Sequence, residues 1–426
     1  MSFLLAALCA AQAQETVERP LVEFADLQVH GDTKAFFTAT LPYDHLLMPE
    51  TATGQGIVDG RLKLDVRGGD LLRFQAHQTV TAWAPGTAGA ASLGGIGSTG
   101  VGLTSTEAVD LTFDLAPDAH EASTLTAQTR TDRLWLGVSV PHVDLRVGRQ
   151  PIAFGKGLMF TPMDLVNPFT PATVDSEYRP GVDAFRADVY WGFANQITVA
   201  AAYAGSWDLK GTILAAYGQT TLGIWDLGLF GAVVHRDLVA GAAAAGSVGP
   251  VALTAEATVT RPPEEAEEDP FVRATAGGLW IPHERLTLSG AVYFQSNGTN
   301  DPDDYLKKYL EPRYERGELW AVGRWYAGVT AAFQVNPAVS ASLFAIANLE
   351  DLSAMVGPGL SWSISDRSDL VLSGYYGFGE RPDDLTWEEV LSSGATTEEE
   401  FLDQVTVNSE FGLIPALLFA EWKAYF

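Results

Sequence analysis

Apolar and polar side chains alternate along most of this chain, in segments of about ten residues. Within residues 61–67 the charged side chains take the odd positions, while Leu62 and Leu64 take even positions. The same period of two recurs at 73–81 and 287–295. Successive side chains of a strand point to opposite faces, so this pattern predicts strands with one apolar and one polar face. Many such segments in one chain are typical of a transmembrane β-barrel.

Two kinds of connection separate the predicted strands. Tight turn signals occur at 68–70, 141–144, 247–250, 282–285, 336–337 and 365–369. Long polar or glycine-rich stretches occur at 84–105, 151–180, 262–270, 297–318 and 380–405. Outer-membrane barrels have short periplasmic turns and longer extracellular loops, so the connections predict which end of the barrel faces outward.

The strand number follows from counting back from the carboxyl end. Turns and loops alternate without a break to a strand near 132–140, which gives 15 strands. Four further candidates lie near 34–41, 59–67, 70–83 and 106–115. An even-numbered barrel with both ends in the periplasm requires an odd number there, so one of the four is wrong. We predict an all-β fold, a single transmembrane antiparallel β-barrel of about 18 strands, with 16 and 20 left open.

Composition narrows the class of protein. The chain has 53 Asp plus Glu against 26 Lys plus Arg, and its net charge of −27 argues against binding nucleic acid. Hydrophobic residues make up 47% of the chain, yet no run of 18 apolar residues follows the first 13. A bilayer crossing by helices is therefore excluded. A large soluble all-β protein is the alternative.

The last eleven residues also alternate in apolar and polar character. Ala416, Leu418 and Trp422 lie on the apolar face, which ends at Phe426, and charge appears only on the face that includes Tyr425. This stretch resembles the carboxyl-terminal signal of Gram-negative outer-membrane β-barrels, in which a final Phe ends such a strand. The resemblance implies location in that membrane. It also implies contact with the lipid bilayer, lipopolysaccharide and the barrel insertion machinery, with Trp422, Tyr425 and Phe426 as targeting residues.

Residues 1–13 are predicted to be a cleaved signal peptide, with 14–426 forming the barrel domain. The run from Phe3 to Ala11 is apolar, and Ala11-Gln12-Ala13 places small residues at a cleavage site. No Lys or Arg precedes the run, which departs from the usual pattern, and a short buried helix is the alternative. Cleavage removes Cys9, the single cysteine, so we expect no disulfide, no thiolate metal site and no cofactor.

The 151–180 stretch is a long connection that is rich in proline yet also carries apolar side chains. Such a composition argues against disorder, and long loops in compact proteins are usually functional. We expect the loop to fold into the lumen and narrow it; a loop that only packs the barrel mouth is the alternative. The predicted constriction residues are Lys156, Met159, Phe160, Asp164, Asn167 and Phe169.

The same region resembles porin-like outer-membrane families, including the alginate-export type. In them a strand ending in Gly-Arg-Gln precedes a glycine-containing turn and a Pro-x-Asp-Leu-x-Asn-Pro segment. The matching residues are Gly148, Arg149, Gln150, Gly155, Gly157, Pro162, Asp164, Leu165, Asn167 and Pro168. The resemblance covers about fifty residues and implies the fold, but no particular solute.

Basic residues concentrate in the first half of the chain, opposite apolar neighbours, and are expected to face the lumen because charge toward lipid is costly. The predicted lumen residues are Arg61, Lys63, Arg67, Arg73, Arg133, Arg146 and Arg186, with Asp144 and Asp188 on the same face. Cations facing acids set up a field that orients polar solutes and favours anions. The alternative is a set of ion pairs that only hold adjacent strands together.

The outer loops are acidic, and Glu265, Glu268 and Asp269 form part of one run. Such carboxylates could bridge divalent cations to lipopolysaccharide or to a partner, although a solvated acidic face is the simpler interpretation.

Together these features predict a porin-like channel, not an enzyme, for passive or selective passage of small polar or anionic solutes. A homo-oligomer is compatible with this function. The first alternative is a plugged barrel that acts as a binding or assembly component with an envelope partner protein. A lesser alternative is an outer-membrane hydrolase, although no G-x-S-x-G pattern occurs.

Overall fold

The structure is a computed structural model. It describes residues 22–24, 26–45, 48, 51–83, 120–121, 126–166, 171, 177–266, 268–385 and 405–426. The predicted signal peptide and the candidate strand at 106–115 lie outside the described residues.

Eighteen long strands form the wall of the protein. They are β1 Leu27–Leu41, β2 Thr53–Gly68, β3 Leu72–Trp83, β4 Thr126–Val140, β5 Val143–Gln150, β6 Val182–Trp191, β7 Asn195–Tyr203, β8 Thr212–Leu222 and β9 Trp225–Val234. The second half comprises β10 Asp237–Val248, β11 Val251–Arg261, β12 Phe271–His283, β13 Leu286–Gln295, β14 Trp325–Asn336, β15 Val339–Asn348, β16 Ala354–Ser365, β17 Ser368–Phe378 and β18 Ala416–Tyr425. The predicted all-β barrel of 18 strands is confirmed.

Every strand pairs antiparallel with its neighbours in the chain, and β1 pairs with β18, which closes the ring. Thr33 lies opposite Ala424, and Leu41 lies opposite Ala416. At the end of this seam, Gly31 and Phe426 exchange two backbone hydrogen bonds of 2.8 and 2.9 Å. A closed ring leaves no unpaired strand edge, which is the condition for a sheet to cross a bilayer.

The strand count agrees with the sequence from β4 onward, where 15 strands are present. Three strands precede them, because β3 hydrogen-bonds directly to β4 over Leu72–Trp83 and Thr126–Val138. Eight turns of two or three residues join strands at one end of the barrel, and β1 begins and β18 ends there. Most connections at the other end are longer, which is the predicted asymmetry.

Short elements decorate the wall. The extended segments Val22–Phe24 and His120–Glu121 pair with the starts of β1 and β4. The helices are α1 Tyr305–Tyr309, α2 Pro312–Glu315 and three 3-10 turns, at Glu264–Ala266, Pro302–Asp304 and Phe411–Leu413. No helix in the described part of the chain has the length and apolarity needed to span a membrane.

The two faces of the wall differ in polarity. Large apolar side chains point outward, including Phe37 with 56% of its surface exposed and Leu229 with 71%. Inward positions carry polar or charged side chains, such as Lys63, Thr258 and Arg273, and these are buried. Exposed aromatic side chains lie near the strand ends: Trp191, Trp280, Trp325, Phe333, Trp362, Phe378 and Trp422. An apolar outer surface with aromatic residues near its edges suits a lipid-facing barrel.

Candidate functional site

Residues 151–166, which follow β5, run along the inner wall of the barrel, where they make a tight turn. Glu256 of β11 accepts hydrogen bonds from three of its backbone N–H groups: Lys156 at 2.7 Å, Gly157 at 3.0 Å and Met163 at 3.0 Å. Gly157 has no room for a side chain, because a Cβ there would lie 1.8 Å from the Phe160 carbonyl oxygen. The turn is therefore built around a wall carboxylate and a glycine.

A second carboxylate shapes the same turn from within. Asp164 is buried and accepts hydrogen bonds from the backbone N–H groups of Phe154 and Gly155, both at 2.8 Å. Its other oxygen receives the Arg179 guanidinium at 3.0 Å, which ties the beginning of the connection to its end. The predicted constriction residues Asn167 and Phe169 lie outside the described residues.

Besides Asp164, two further predicted constriction residues are buried. Met159 and Phe160 pack against side chains of β13–β17, and the Phe160 ring stacks on Trp320 with centroids 5.2 Å apart and planes at 12°. Lys156 instead is exposed, and its ammonium group donates to Gln219 at 3.1 Å. Of the described members of this set, only Lys156 therefore presents its side chain to water.

A second group of residues, 296–324 with 405–415, also folds inward. Tyr305 and Leu306 of α1 and Val322 pack against Val405 and Leu413. Sequence reasoning treated 297–318 and 380–405 only as polar outer loops and missed this packing. The available signal was the presence of tyrosine and leucine within an otherwise acidic loop.

Glu410 lies at the centre of this second group. It accepts hydrogen bonds from the Tyr326 hydroxyl at 2.5 Å, the Asn348 amide at 2.8 Å and the Tyr309 hydroxyl at 3.2 Å. Burial raises the pKa of Glu410 to about 7. A single carboxyl group therefore connects the 405–415 segment to α1 and to two wall strands.

The predicted lumen cations lie on the inner face of β2–β6, and most of them are paired with acids. Arg61 and Arg133 both bind Asp132, Lys63 binds Asp32 at 2.8 Å, Arg73 binds Asp65 at 3.3 Å, and Arg186 binds Asp188 at 2.8 Å. This pairing is the arrangement expected for the ion-pair alternative. It does not exclude a solute path, because Arg73 keeps 44% of its side chain exposed.

The remaining predicted lumen charges, Arg67, Arg146 and Asp144, lie on β2 and β5. Arg146 and Arg73 flank the Trp135 ring, with guanidinium carbons 5.3 and 5.6 Å from its centroid. Arg67 is exposed at the end of β2 beside a short turn. Asp144 is partly buried on β5 opposite Asp188. The structure thus brings Arg73, Arg146 and Arg186 toward the short-turn end of the lumen.

One part of the cationic wall is covered by the chain itself. Glu177 forms ion pairs with Lys34 at 2.9 Å and Lys423 at 3.1 Å. The Tyr178 ring lies 4.1 Å from the Arg61 guanidinium and 4.5 Å from the Lys63 ammonium. Burial opposes ionisation of Glu177, but the two lysines lower its pKa to about 2.

Sequence reasoning missed Lys34, Lys423, Glu177 and Tyr178. Lys423 carried a signal, because it lies on the face of the last strand where charge appears. The contact of Glu177 with two strands from opposite ends of the chain had no sequence signal.

The acidic outer loop is partly neutralised by arginines. Glu265 pairs with Arg236 at 3.0 Å, and Glu268 pairs with Arg313 at 2.8 Å, while Asp269 is exposed. Across the described ranges, no group of three or more His, Cys, Asp or Glu residues is arranged to hold a metal ion. The predicted targeting residue Trp422 points outward, and its indole N–H donates to Ser368 at 2.8 Å.

Comparison with known proteins identifies the fold. No protein-family model matches the chain, and no curated protein does. Among solved structures, a BenF-like porin from Pseudomonas fluorescens Pf-5 matches with a TM-score of 0.56 and 8% identity, over 95% of this chain and 99% of that one. OccAB4 of Acinetobacter baumannii matches with 0.55 and 8%, over 97% and 100%. The outer membrane protein opdK of Pseudomonas aeruginosa matches with 0.54 and 9%, over 94% and 98%.

These likenesses establish a shared architecture. The closed 18-strand ring, its apolar outer surface and its porin neighbours point to the outer membrane of a Gram-negative bacterium.

Proposed function

We propose that this barrel of the outer-membrane porin fold is a channel for passive diffusion of small polar solutes, with a preference for anions. The observation that carries the proposal is the set of cations on the inner face of β3, β5 and β6. Arg73, Arg146 and Arg186 lie on this face, and Arg73 keeps 44% of its side chain exposed.

The position of the inward segments supports this proposal. The 151–166 segment and the 296–324 and 405–415 group pack mainly against β6–β17. Among the described residues, a solute path is then left beside the charged wall of β3–β6. Cations and acids that face each other across such a path orient polar solutes and set ion preference. In this arrangement residues 151–166 narrow the lumen.

Planar bilayer recordings of the purified full chain test the proposal. We expect discrete conductance steps and a reversal potential that indicates anion preference. Arg146→Gln and Arg186→Gln should each lower that preference, while Arg285→Gln, in an exposed short turn, should leave it unchanged. Conductance no greater than leakage would refute the channel, and unchanged selectivity in both lumen variants would refute the role of these arginines.

A second candidate, a plugged barrel that binds an envelope partner, is favoured by one observation. Lys34 and Lys63 are almost fully covered, since Glu177 and Tyr178 lie over them. Affinity isolation from outer membranes separates the two candidates, because a stoichiometric partner together with an absence of conductance supports the plugged barrel. The hydrolase alternative and the homo-oligomer stay predictions.

A further inference from the structure

We propose that Glu256 and Arg273 are a pair of positioning residues that hold two inward segments, 151–166 and 296–324, against the wall. In this way they set the width of the pore. The inference rests on the proposed channel function. Both residues belong to the wall, on the adjacent strands β11 and β12, where Arg273 lies opposite Thr258. Their side chains are buried, with 3% and 4% exposed.

Glu256 holds the first segment, 151–166, by accepting hydrogen bonds from the backbone of that segment. The carboxylate receives N–H groups from both ends of the turn, Lys156 and Gly157 on one oxygen and Met163 on the other. Removal of the carboxylate takes this acceptor away from three backbone donors, of which the Met163 N–H is buried. The turn therefore has one wall position in which its donors are satisfied.

Arg273 connects the first segment to the second. One guanidinium nitrogen donates to the Pro162 carbonyl at 3.0 Å, and another donates to the Glu318 carbonyl at 3.0 Å. Its planar group presents several donors in fixed directions, so both carbonyls are held in one geometry. A lysine at position 273 would keep the positive charge, but it lacks the forked guanidinium group that donates to both carbonyl oxygens.

Glu256 and Arg273 together form a clamp on the two segments, and side-chain packing at the junction where the segments meet fixes their position further. The Phe160–Trp320 stack joins the two segments, and Met159 fills the space above Gly328, where a Cβ would lie 2.0 Å from its sulfur. Neither segment contributes a strand to the ring. A change at the clamp should therefore displace the segments while the barrel stays closed.

The experiment uses Glu256→Gln and Arg273→Lys in the full chain. We expect each to raise single-channel conductance about two-fold or to cause flickering, since ion flow follows the open width of the pore. The matched controls are Asp226→Asn, which removes a charge at an exposed site, and Arg236→Lys, which removes the fork at a partly exposed turn. Folding of every variant is checked by heat-modifiable electrophoretic mobility.

A second measurement does not depend on conductance. With Cys9 replaced by Ser, the substitution Met159→Cys places a single thiol in the buried junction. We expect slow maleimide labelling in the parent and at least about ten-fold faster labelling with either clamp variant, as buried groups react only after local opening. If either variant folds and shows the labelling rate and the conductance of the parent, the clamp proposal is wrong. Absence of conductance in the parent would instead refute the channel, and the labelling result would still decide the clamp.

Discussion

The Glu177 carboxylate lies between Lys34 and Lys423 and covers part of the positive charge on the lumen wall. Replacement by glutamine removes this negative charge and leaves both ammonium groups in place, with Lys423 still paired with Glu421 at 3.3 Å. We expect Glu177→Gln to raise the anion-to-cation permeability ratio about two-fold, because charged rings in a pore set its selectivity. Reversal potentials in a salt gradient measure the ratio. Glu264→Gln, at an exposed loop position, is the matched control. An equal effect of both substitutions would contradict the prediction.

Glu410 makes the docking of 405–415 dependent on pH. Its pKa is raised to about 7 by burial, from an ordinary value of 4.5. The stabilisation it gives is therefore complete below pH 4.5 and is lost as the pH rises through 7. The difference is on the order of 3 kcal/mol.

Hydrogen exchange of the 405–415 amides should consequently be slower at pH 5 than at pH 8, after correction for the intrinsic exchange rate. In Glu410→Gln the corrected protection should be the same at both values. A wild-type protection that rises with pH would contradict the assignment.

At the scale of elements, the strands were predictable because each has its own period-two pattern. The segment 405–415 and the loop 296–324 were not, because irregular backbone has no period that reveals which way it packs. The partners in the ion pairs also could not be predicted from the sequence. Lys63 reaches Asp32 only because β1 and β2 adopt one register, and Glu256 meets a turn about a hundred residues away.

Glycine in β17 determines how closely the 405–415 segment approaches the wall. A Cβ at Gly377 would lie 2.0 Å from the Phe411 carbonyl oxygen, whereas a Cβ at Gly56 in β2 meets nothing within 4 Å. Gly377→Ala should therefore displace the segment and expose it to limited proteolysis, at a cost of about 1–3 kcal/mol for overpacking. Gly56→Ala should leave the digestion pattern unchanged. Equal digestion of both variants would show that the approach has no such effect.

At the scale of the whole molecule, the outward apolar surface determines where the barrel is stable. Leu229 lies in the middle of β9 with 71% of its surface exposed, while Leu352 lies in a connection with 85% exposed. Arginine near the bilayer midplane costs about 2–4 kcal/mol in such barrels and little near the interface. Leu229→Arg should lower the free energy of unfolding in lipid vesicles by that amount. Leu352→Arg should leave it unchanged, and equal losses would place Leu229 away from lipid.

The overall architecture could be predicted from the sequence because every strand of a barrel shows the same alternation of apolar and polar side chains. Strand number required one further constraint, the parity of turns and loops, and the direct pairing of β3 with β4 resolved the remaining ambiguity. The candidate site was only partly accessible. Arg61 and Arg186 could be assigned to the lumen face, but their partners depend on which strands become neighbours in the ring.

The seam between β1 and β18 joins residues from nearly opposite ends of the chain. Contacts so distant in sequence form slowly, because a very large loop must close before they contribute. Until then both outermost strands present unpaired N–H and C=O groups, which are templates for aggregation. The barrel is therefore most vulnerable just before completion, and its lifetime in that state depends on how quickly the later-synthesised strand finds the first.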